Sequence, residues 1–375
     1  MKMTAAVLYE QGKPRPFADS LPLQVETVDL EGPGPGEVLV QIAGAGLCHS
    51  DLSTIQGLRA RALPAVAGHE AAGIVREVGR GVRSVAPDDH VAMVFVASCG
   101  ACGYCRSGRP NLCESSWQAR AQGTLQTGAR RLSIHGRPLN HYSGISAFAE
   151  YAVVAENSLV RITKQLPLHS AAIFGCAVIT GVGAVMNTAG GVAGKAVAVV
   201  GLGGVGLAGL LGAVQQQAQP LIAVDMNPAK LALARELGAT HAFAADDPDC
   251  VARVREVSGG GVEVTFEMAG SIAAMGLAYK LGRRGSALIC VGLPPATATF
   301  AVPVSALVSD ERVIQGSYMG GSVPTRDIPR YVELALQQRL PVERLLSHQV
   351  DFAGLNAAFD RLDDGASVRQ VLRFL

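Results

Sequence analysis

Four cysteines, Cys99, Cys102, Cys105 and Cys113, fall within fifteen residues as C-x2-C-x2-C-x7-C in the stretch CGACGYCRSGRPNLC. Thiolates this close can surround Zn²⁺ tetrahedrally and leave no coordination position open, which is the pattern of a structural site. An iron–sulfur cluster takes similar spacing and is the rival, although no second cluster motif accompanies it. A different chemistry is written at residues 195–225, KAVAVVGLGGVGLAGLLGAVQQQAQPLIAVD. An apolar strand there runs into Gly201, Gly203 and Gly206, then a helix, then a second strand ending on Asp225. The first glycine permits a tight turn, the second lets backbone approach a pyrophosphate, and the third lets helix and strand pack closely. The helix N-terminus then faces an anion. Asp225, about twenty residues on, can accept hydrogen bonds from an adenosine ribose and would repel a 2'-phosphate, so NAD is expected over NADP.

Those motifs need particular elements to hold them. Up to about residue 162 the chain reads as short strands broken by Gly and Pro, at 23–28, 38–43, 73–78, 91–96 and 149–154 after an opening strand at the N-terminus. After Pro167 helical patterns at 169–174 and 178–189 lead into the glycine-rich unit. A helix at 227–237 and strands at 240–243, 262–266 and 287–291 follow. Strands alternating with helices predict a doubly wound parallel sheet, so the fold class is α/β, a Rossmann sheet plus a β-rich domain. The tail returns to helix at 328–338 and short strands at 347–350 and 371–374. The expected domains are therefore 1–177, rejoined by 321–375, and 178–320.

Composition narrows the function classes. At 375 residues the chain can bury two cores. Its 32 Lys and Arg balance 31 Asp and Glu, which leaves no electrostatic footprint for nucleic acid or an anionic membrane. Residues 196–214 are uncharged, but six of the nineteen are glycine, and buried parallel strands with their helices read as apolar runs anyway. The N-terminus has no signal-peptide pattern, so a cytoplasmic location is expected, with the eight cysteines as metal ligands or buried thiols rather than disulfides. Cys250 and Cys290 have no assigned role.

Taken singly, Cys48 in GAGLCHSD, His69 in AGHE and Cys176 in FGCAV are each as readily a buried thiol or imidazole. What joins them is resemblance. GLCHSD, AGHEAAG, the four-cysteine stretch, FGCAVITGVGA, VGLGGVG and AVDMNP stand in the order and spacing of the zinc-dependent medium-chain alcohol dehydrogenases, across essentially the whole chain. The resemblance implies a GroES-like first domain and two zinc ions per chain. Cys48, His69 and Cys176 match the ligands of the catalytic zinc, a known ligand set of that family. Asp51 and Glu70 match carboxylates that orient the ligands. Ser50 matches the hydroxyl that accepts the alcohol proton, which zinc, as a Lewis acid, makes easier to remove before hydride passes to the nicotinamide. Cofactor contacts are implied at His49, Thr180, Gly201, Gly203, Gly204, Val205, Gly206, Asp225, Lys230, Val291, Leu293 and Arg369. Phe95, Trp117, Gln118, Tyr142, Ser143 and Leu293 match the substrate wall.

The chain also departs from its relatives. Many carry a histidine three residues after Ser50, at the end of a proton relay; this chain has Ser53, so the relay is expected to end in water. Residues 117–143 match a longer loop found in dimeric animal-type and glutathione-dependent formaldehyde dehydrogenases, which implies a homodimer. The glutathione-dependent class carries an arginine where this chain has Trp117. Phe95 stands where many small-alcohol enzymes have tryptophan, which implies a roomier pocket. The leading expectation is therefore an NAD-linked dehydrogenase of primary alcohols and aldehydes with aromatic or medium-to-large apolar side chains. S-(hydroxymethyl)glutathione dehydrogenase is the alternative, and a cofactor-binding protein without dehydrogenase activity is a third reading from another class. Arg59 and Arg61, before His69, are read as solvated loop charges or as an entrance favouring neutral or anionic substrates.

Overall fold

The computed structural model describes residues 1–374 and divides into two compact units. The first comprises Met1–Cys176, Val323–Leu336 and Leu346–Leu375; the second comprises Ala177–Ser322 and Gln337–Leu345. Residues 337–345, expected with the first domain, thus pack with the second. Leu340, Val342 and Leu345 are buried there, and it is this apolar anchoring that holds the segment.

The first unit is built on two sheets. Strands Lys2–Leu8, Leu23–Leu30, Leu132–Ile134, Arg137–His141 and Ala65–Val66 close into a barrel. A second sheet runs Leu159–Ile162, His90–Met93, Ala71–Val78, Glu37–Gly46, Arg369–Arg373 and Leu346–Val350, with Tyr151–Ala155 also paired to Glu37–Gly46. Alternate residues of the central strands, Val38, Val40 and Ile42 among them, are fully buried, and they join Phe148 and Phe359 in one core cluster. The C-terminal strand enters antiparallel, with Val371 opposite Gly46 and Leu372 opposite Ala45. That register places Arg369 near the end of the strand that leads to Cys48.

Residues 117–143, read from sequence as a loop, contain regular structure. Helix Glu114–Gln122 ends on Gly123, and the hairpin of Leu132–Ile134 and Arg137–His141 follows. The helix shows almost no apolar stripe, and the hairpin strands are only three and five residues long, so neither carries a strong periodic signal.

The second unit is a six-stranded parallel sheet in the order His241–Ala244, Leu221–Asp225, Val197–Val200, Val262–Glu267, Gly282–Cys290, Val313–Gly316. This is the doubly wound order 3-2-1-4-5-6. Val197–Val200 is buried along its whole length, as a central parallel strand covered on both faces must be. Helix Pro228–Glu236 begins where Asn227 accepts a hydrogen bond from the Ala229 N–H at 2.9 Å, with Pro228 at its first position. Among the described residues, no single helix is long and apolar enough to cross a membrane.

Candidate active site

Cys48 precedes the short helix His49–Ile55, His69 precedes strand Ala71–Val78, and Cys176 ends the first unit's main segment. The fold nevertheless brings their ligand atoms within 4.8 Å of one another, all three residues buried. Asp51 Oδ1 lies 2.8 Å from His69 Nδ1 and accepts a hydrogen bond from its N–H, so Nε2 presents its lone pair. Nε2 is buried with no hydrogen-bond partner, a costly state for an imidazole nitrogen unless a cation meets it. The other Asp51 oxygen accepts the Cys48 N–H at 3.2 Å. The neighbouring Cys48 and Cys176 thiols push each other apart, Cys48 well below and Cys176 well above the usual thiol range, and the Arg369 charge also favours the Cys48 thiolate. Two sulfurs and an imidazole nitrogen within 4.8 Å of one another fit Zn²⁺ with a fourth position left open.

Glu70 is fully buried and lies 3.2 Å from Arg369 Nη1, which also donates to the Leu47 carbonyl at 2.7 Å. Arg369 therefore stands with the metal ligands of the first unit. Ser50 is half-buried on the helix behind Cys48. Its hydroxyl meets Arg59 Nη1 at 3.5 Å, which places one of the two arginines before His69 against Ser50. Arg59 is held at the helix end because its N–H reaches the Ser53 carbonyl at 3.2 Å and its carbonyl accepts from Gln11 Nε2 at 2.7 Å. The polar group found on Ser50 is thus a guanidinium from beyond the helix.

The four-cysteine set also closes, with its sulfurs within 4.8 Å of one another and Cys99 Sγ 4.0 Å from Cys105 Sγ. A disulfide needs about 2.05 Å, whereas tetrahedral thiolates on zinc stand nearly 4 Å apart. Backbone N–H groups of Cys105 and Glu114 hold the Cys102 thiol down to about 6, while burial pushes Cys105 up to about 12. Four thiols at this spacing cannot all ionise without a cation, and a divalent metal fits them.

In the second unit the three glycines divide the work as their spacing suggests. Gly201 has φ +92°, and a Cβ on Gly206 would run into the Gly201 carbonyl oxygen. At Gly203 a Cβ would meet nothing within 4 Å, so that position opens outward beside the N-terminus of helix Gly204–Gln215, which has no side-chain cap. This is a cradle for an anion. Asp225 sits at the strand end, half-buried, with Oδ2 accepting the Leu202 N–H at 2.6 Å and Oδ1 the Asn227 N–H at 2.8 Å. Those bonds fix the carboxylate beside the glycine loop. Val205, Lys230 and Thr180 are half-buried, Gly204 and Val291 buried, and Leu293 exposed, all in this unit; His49 is exposed in the first.

Of the wall residues in the first unit, Phe95 meets the His69 ring edge-on at 5.3 Å and Tyr142 tilts against it at 6.1 Å. The Tyr142 hydroxyl is occupied, 2.9 Å from Thr54 Oγ1 and donating to the Ser50 carbonyl at 3.2 Å, so Tyr142 offers its ring. Ser143 is buried in a left-handed conformation, φ 54°. Trp117 and Gln118 are exposed on helix Glu114–Gln122, Trp117 at 66%. Arg120, one turn further on and buried, was not singled out from sequence; its guanidinium lies 5.4 Å from the Trp117 ring and 5.7 Å from Phe95.

Comparison with known proteins bears on this geometry. Residues 34–164 match the family described as the alcohol dehydrogenase GroES-like domain, and residues 204–337 match the zinc-binding dehydrogenase family. S-(hydroxymethyl)glutathione dehydrogenases of Synechocystis and of Escherichia coli are 39% and 38% identical, each over the full length of both chains. An alcohol dehydrogenase zinc-binding domain protein from Burkholderia ambifaria superposes with a TM-score of 0.94 at 33% identity, over 100% of this chain and 99% of that one. Benzyl alcohol dehydrogenase of Acinetobacter calcoaceticus superposes with a TM-score of 0.93 at 29% identity over all of both chains. Full-length identity of this order, with both metal-ligand sets assembled by the fold, places the chain in the zinc-dependent medium-chain alcohol dehydrogenase family.

Proposed function

We propose that the protein oxidises primary alcohols, and reduces the corresponding aldehydes, with NAD, and that its preferred substrates carry an aromatic or sizeable apolar side chain. The observation that carries this reading is the pair of rings, Phe95 and Tyr142, against His69. The first unit acts as the catalytic domain and the second as the dinucleotide-binding domain. Bound zinc supplies a Lewis acid for the substrate oxygen and bound NAD a hydride acceptor. Cys48, His69 and Cys176 would hold the metal, Asp51 fixes the His69 tautomer, and Glu70 with Arg369 fills the space behind. Ser50 accepts the proton leaving the substrate hydroxyl while its own hydroxyl proton passes on to water, and Arg59 Nη1, donating to Ser50 Oγ, orients that hydroxyl for the exchange. Asp225 serves the cofactor ribose.

An added methylene in an apolar pocket is worth roughly 1–3 kcal/mol, so burial of a ring should raise kcat/KM for benzyl or cinnamyl alcohol over ethanol by on the order of a hundredfold. Phe95→Trp should shrink that ratio. Equal kcat/KM for ethanol and the aryl alcohols would defeat the wall assignment. Asp225→Gly is expected to raise kcat/KM with NADP relative to NAD by roughly tenfold or more, because a charge facing a phosphate is removed. An unaltered protein that used both cofactors equally would contradict the role given to Asp225.

A second reading is favoured by the relatives named S-(hydroxymethyl)glutathione dehydrogenase. Trp117 stands against it, and assays with and without glutathione plus formaldehyde separate the two. The longer 117–143 segment supports a homodimer, measurable by light scattering.

A further inference from the structure

We propose that Arg59, Arg61 and Arg120 form a cationic rim around the rings beside His69, and that this rim selects alcohols and aldehydes carrying a carboxylate. The inference rests on the dehydrogenase reading above and names the substrate class of that site. Three guanidiniums from two separate stretches of chain converge on the wall. Arg59 reaches Ser50 Oγ at 3.5 Å, Arg61 lies 5.7 Å from the Tyr142 ring, and Arg120 lies 5.7 Å from Phe95. Each is therefore one side chain removed from His69 or in contact with Ser50. With a net charge of only +1, the chain is not basic in general, so the concentration is local.

The two acids next to the ligand set, Asp51 and Glu70, are committed there. Asp51 spends both oxygens on His69 and the Cys48 N–H, and Glu70 faces Arg369. Arg61 Nε is buried without a hydrogen-bond partner, in contrast with Arg15, Arg76, Arg131 and Arg253, each of which meets a carboxylate. A buried guanidinium N–H lacking an acceptor costs free energy that a ligand carboxylate would recover. Arg120, also buried, is fixed between two aromatic faces and donates to the Ser116 carbonyl at 3.3 Å, so little ordering is left for binding. Arginine stacked on aromatics is partly stripped of water and offers paired donors that match a carboxylate. An aryl alcohol bearing a carboxylate away from the reacting carbon meets both features, the ring against Phe95 and Tyr142 and the anion on the rim.

The test uses the full-length, zinc-loaded enzyme with NAD, para-(hydroxymethyl)benzoate and its neutral amide of nearly the same size. The wild type should favour the benzoate in kcat/KM by about tenfold or more, and the preference should shrink as ionic strength rises. Arg61→Gln and Arg120→Gln should each lower the ratio severalfold. Calorimetric Kd values for the two compounds on the wild type give the same comparison without turnover and without any variant. Should benzyl alcohol not be oxidised at all, the dehydrogenase reading falls, while the Kd ratio still decides whether the rim selects an anion. Equal handling of benzoate and amide by the wild type, in turnover or in binding, overturns the proposal, as does turnover of glutathione plus formaldehyde without that preference.

Discussion

Replacing Cys176 with alanine is expected to lower kcat/KM for benzyl alcohol by at least about a thousandfold while moving the stability of the fold by no more than about 2 kcal/mol. Lewis-acid stabilisation is worth several kcal/mol, and each 1.36 kcal/mol is about tenfold in rate, which sets the size of the first effect. The second is small because Cys176 sits where two elements meet, its neighbours Phe174 and Val178 are fully buried in their own right, and its sulfur contacts Cys48 rather than anchoring the core. Activity assays and thermal denaturation on one preparation check both halves. A variant that kept more than a tenth of wild-type kcat/KM would remove Cys176 from the ligand set.

The opposite pattern is expected at the other cluster. Cys105→Ser should leave the protein largely insoluble, or lower its melting temperature by on the order of 10 °C, with loss of activity following from unfolding. The stretch Cys99–Cys113 has little apolar side chain to bury: Cys99, Cys102 and Cys105 are half-exposed, and only the short helix Gly103–Arg106 and a single 3-10 turn order it. Its thiols cannot share charge at this spacing without a cation, so metal binding there is folding free energy. In small zinc domains that amounts to roughly 10–16 kcal/mol, comparable with the roughly 5–15 kcal/mol stability of a whole domain. Circular dichroism and melting curves of the variant, and of wild type after exhaustive chelation, provide the check. A Cys105→Ser protein that melted with the wild type would show that this loop needs no metal.

Much of the candidate site was legible because its chemistry is local. The four cysteines lie within one stretch, and the glycine loop with its terminal acid lies within one strand–helix–strand unit, so spacing alone carries their geometry. Cys48, His69 and Cys176 are far apart in sequence, and only resemblance to known dehydrogenases could join them before the fold did. The place of Arg120 was harder to see for a different reason. Hydropathy treats an arginine as a surface residue, yet a guanidinium can be buried when aromatic faces and carbonyl oxygens replace its water, as Phe95, Trp117 and the Ser116 carbonyl do for Arg120. A signal was present in the three-residue spacing of Trp117 and Arg120, which puts both on one helix face. Residues 337–345 followed the second unit because Leu340, Val342 and Leu345 are buried there, and the helical pattern before them gave no sign of the switch.

The protein carries two separate ligand sets, one closed by four sulfurs and one left open. Elemental analysis of the purified, full-length wild type tests this most directly. Two zinc ions per chain are expected, with one lost in the Cys176→Ala protein while the other stays; a wild type holding a single zinc, or iron in place of zinc, would contradict the account.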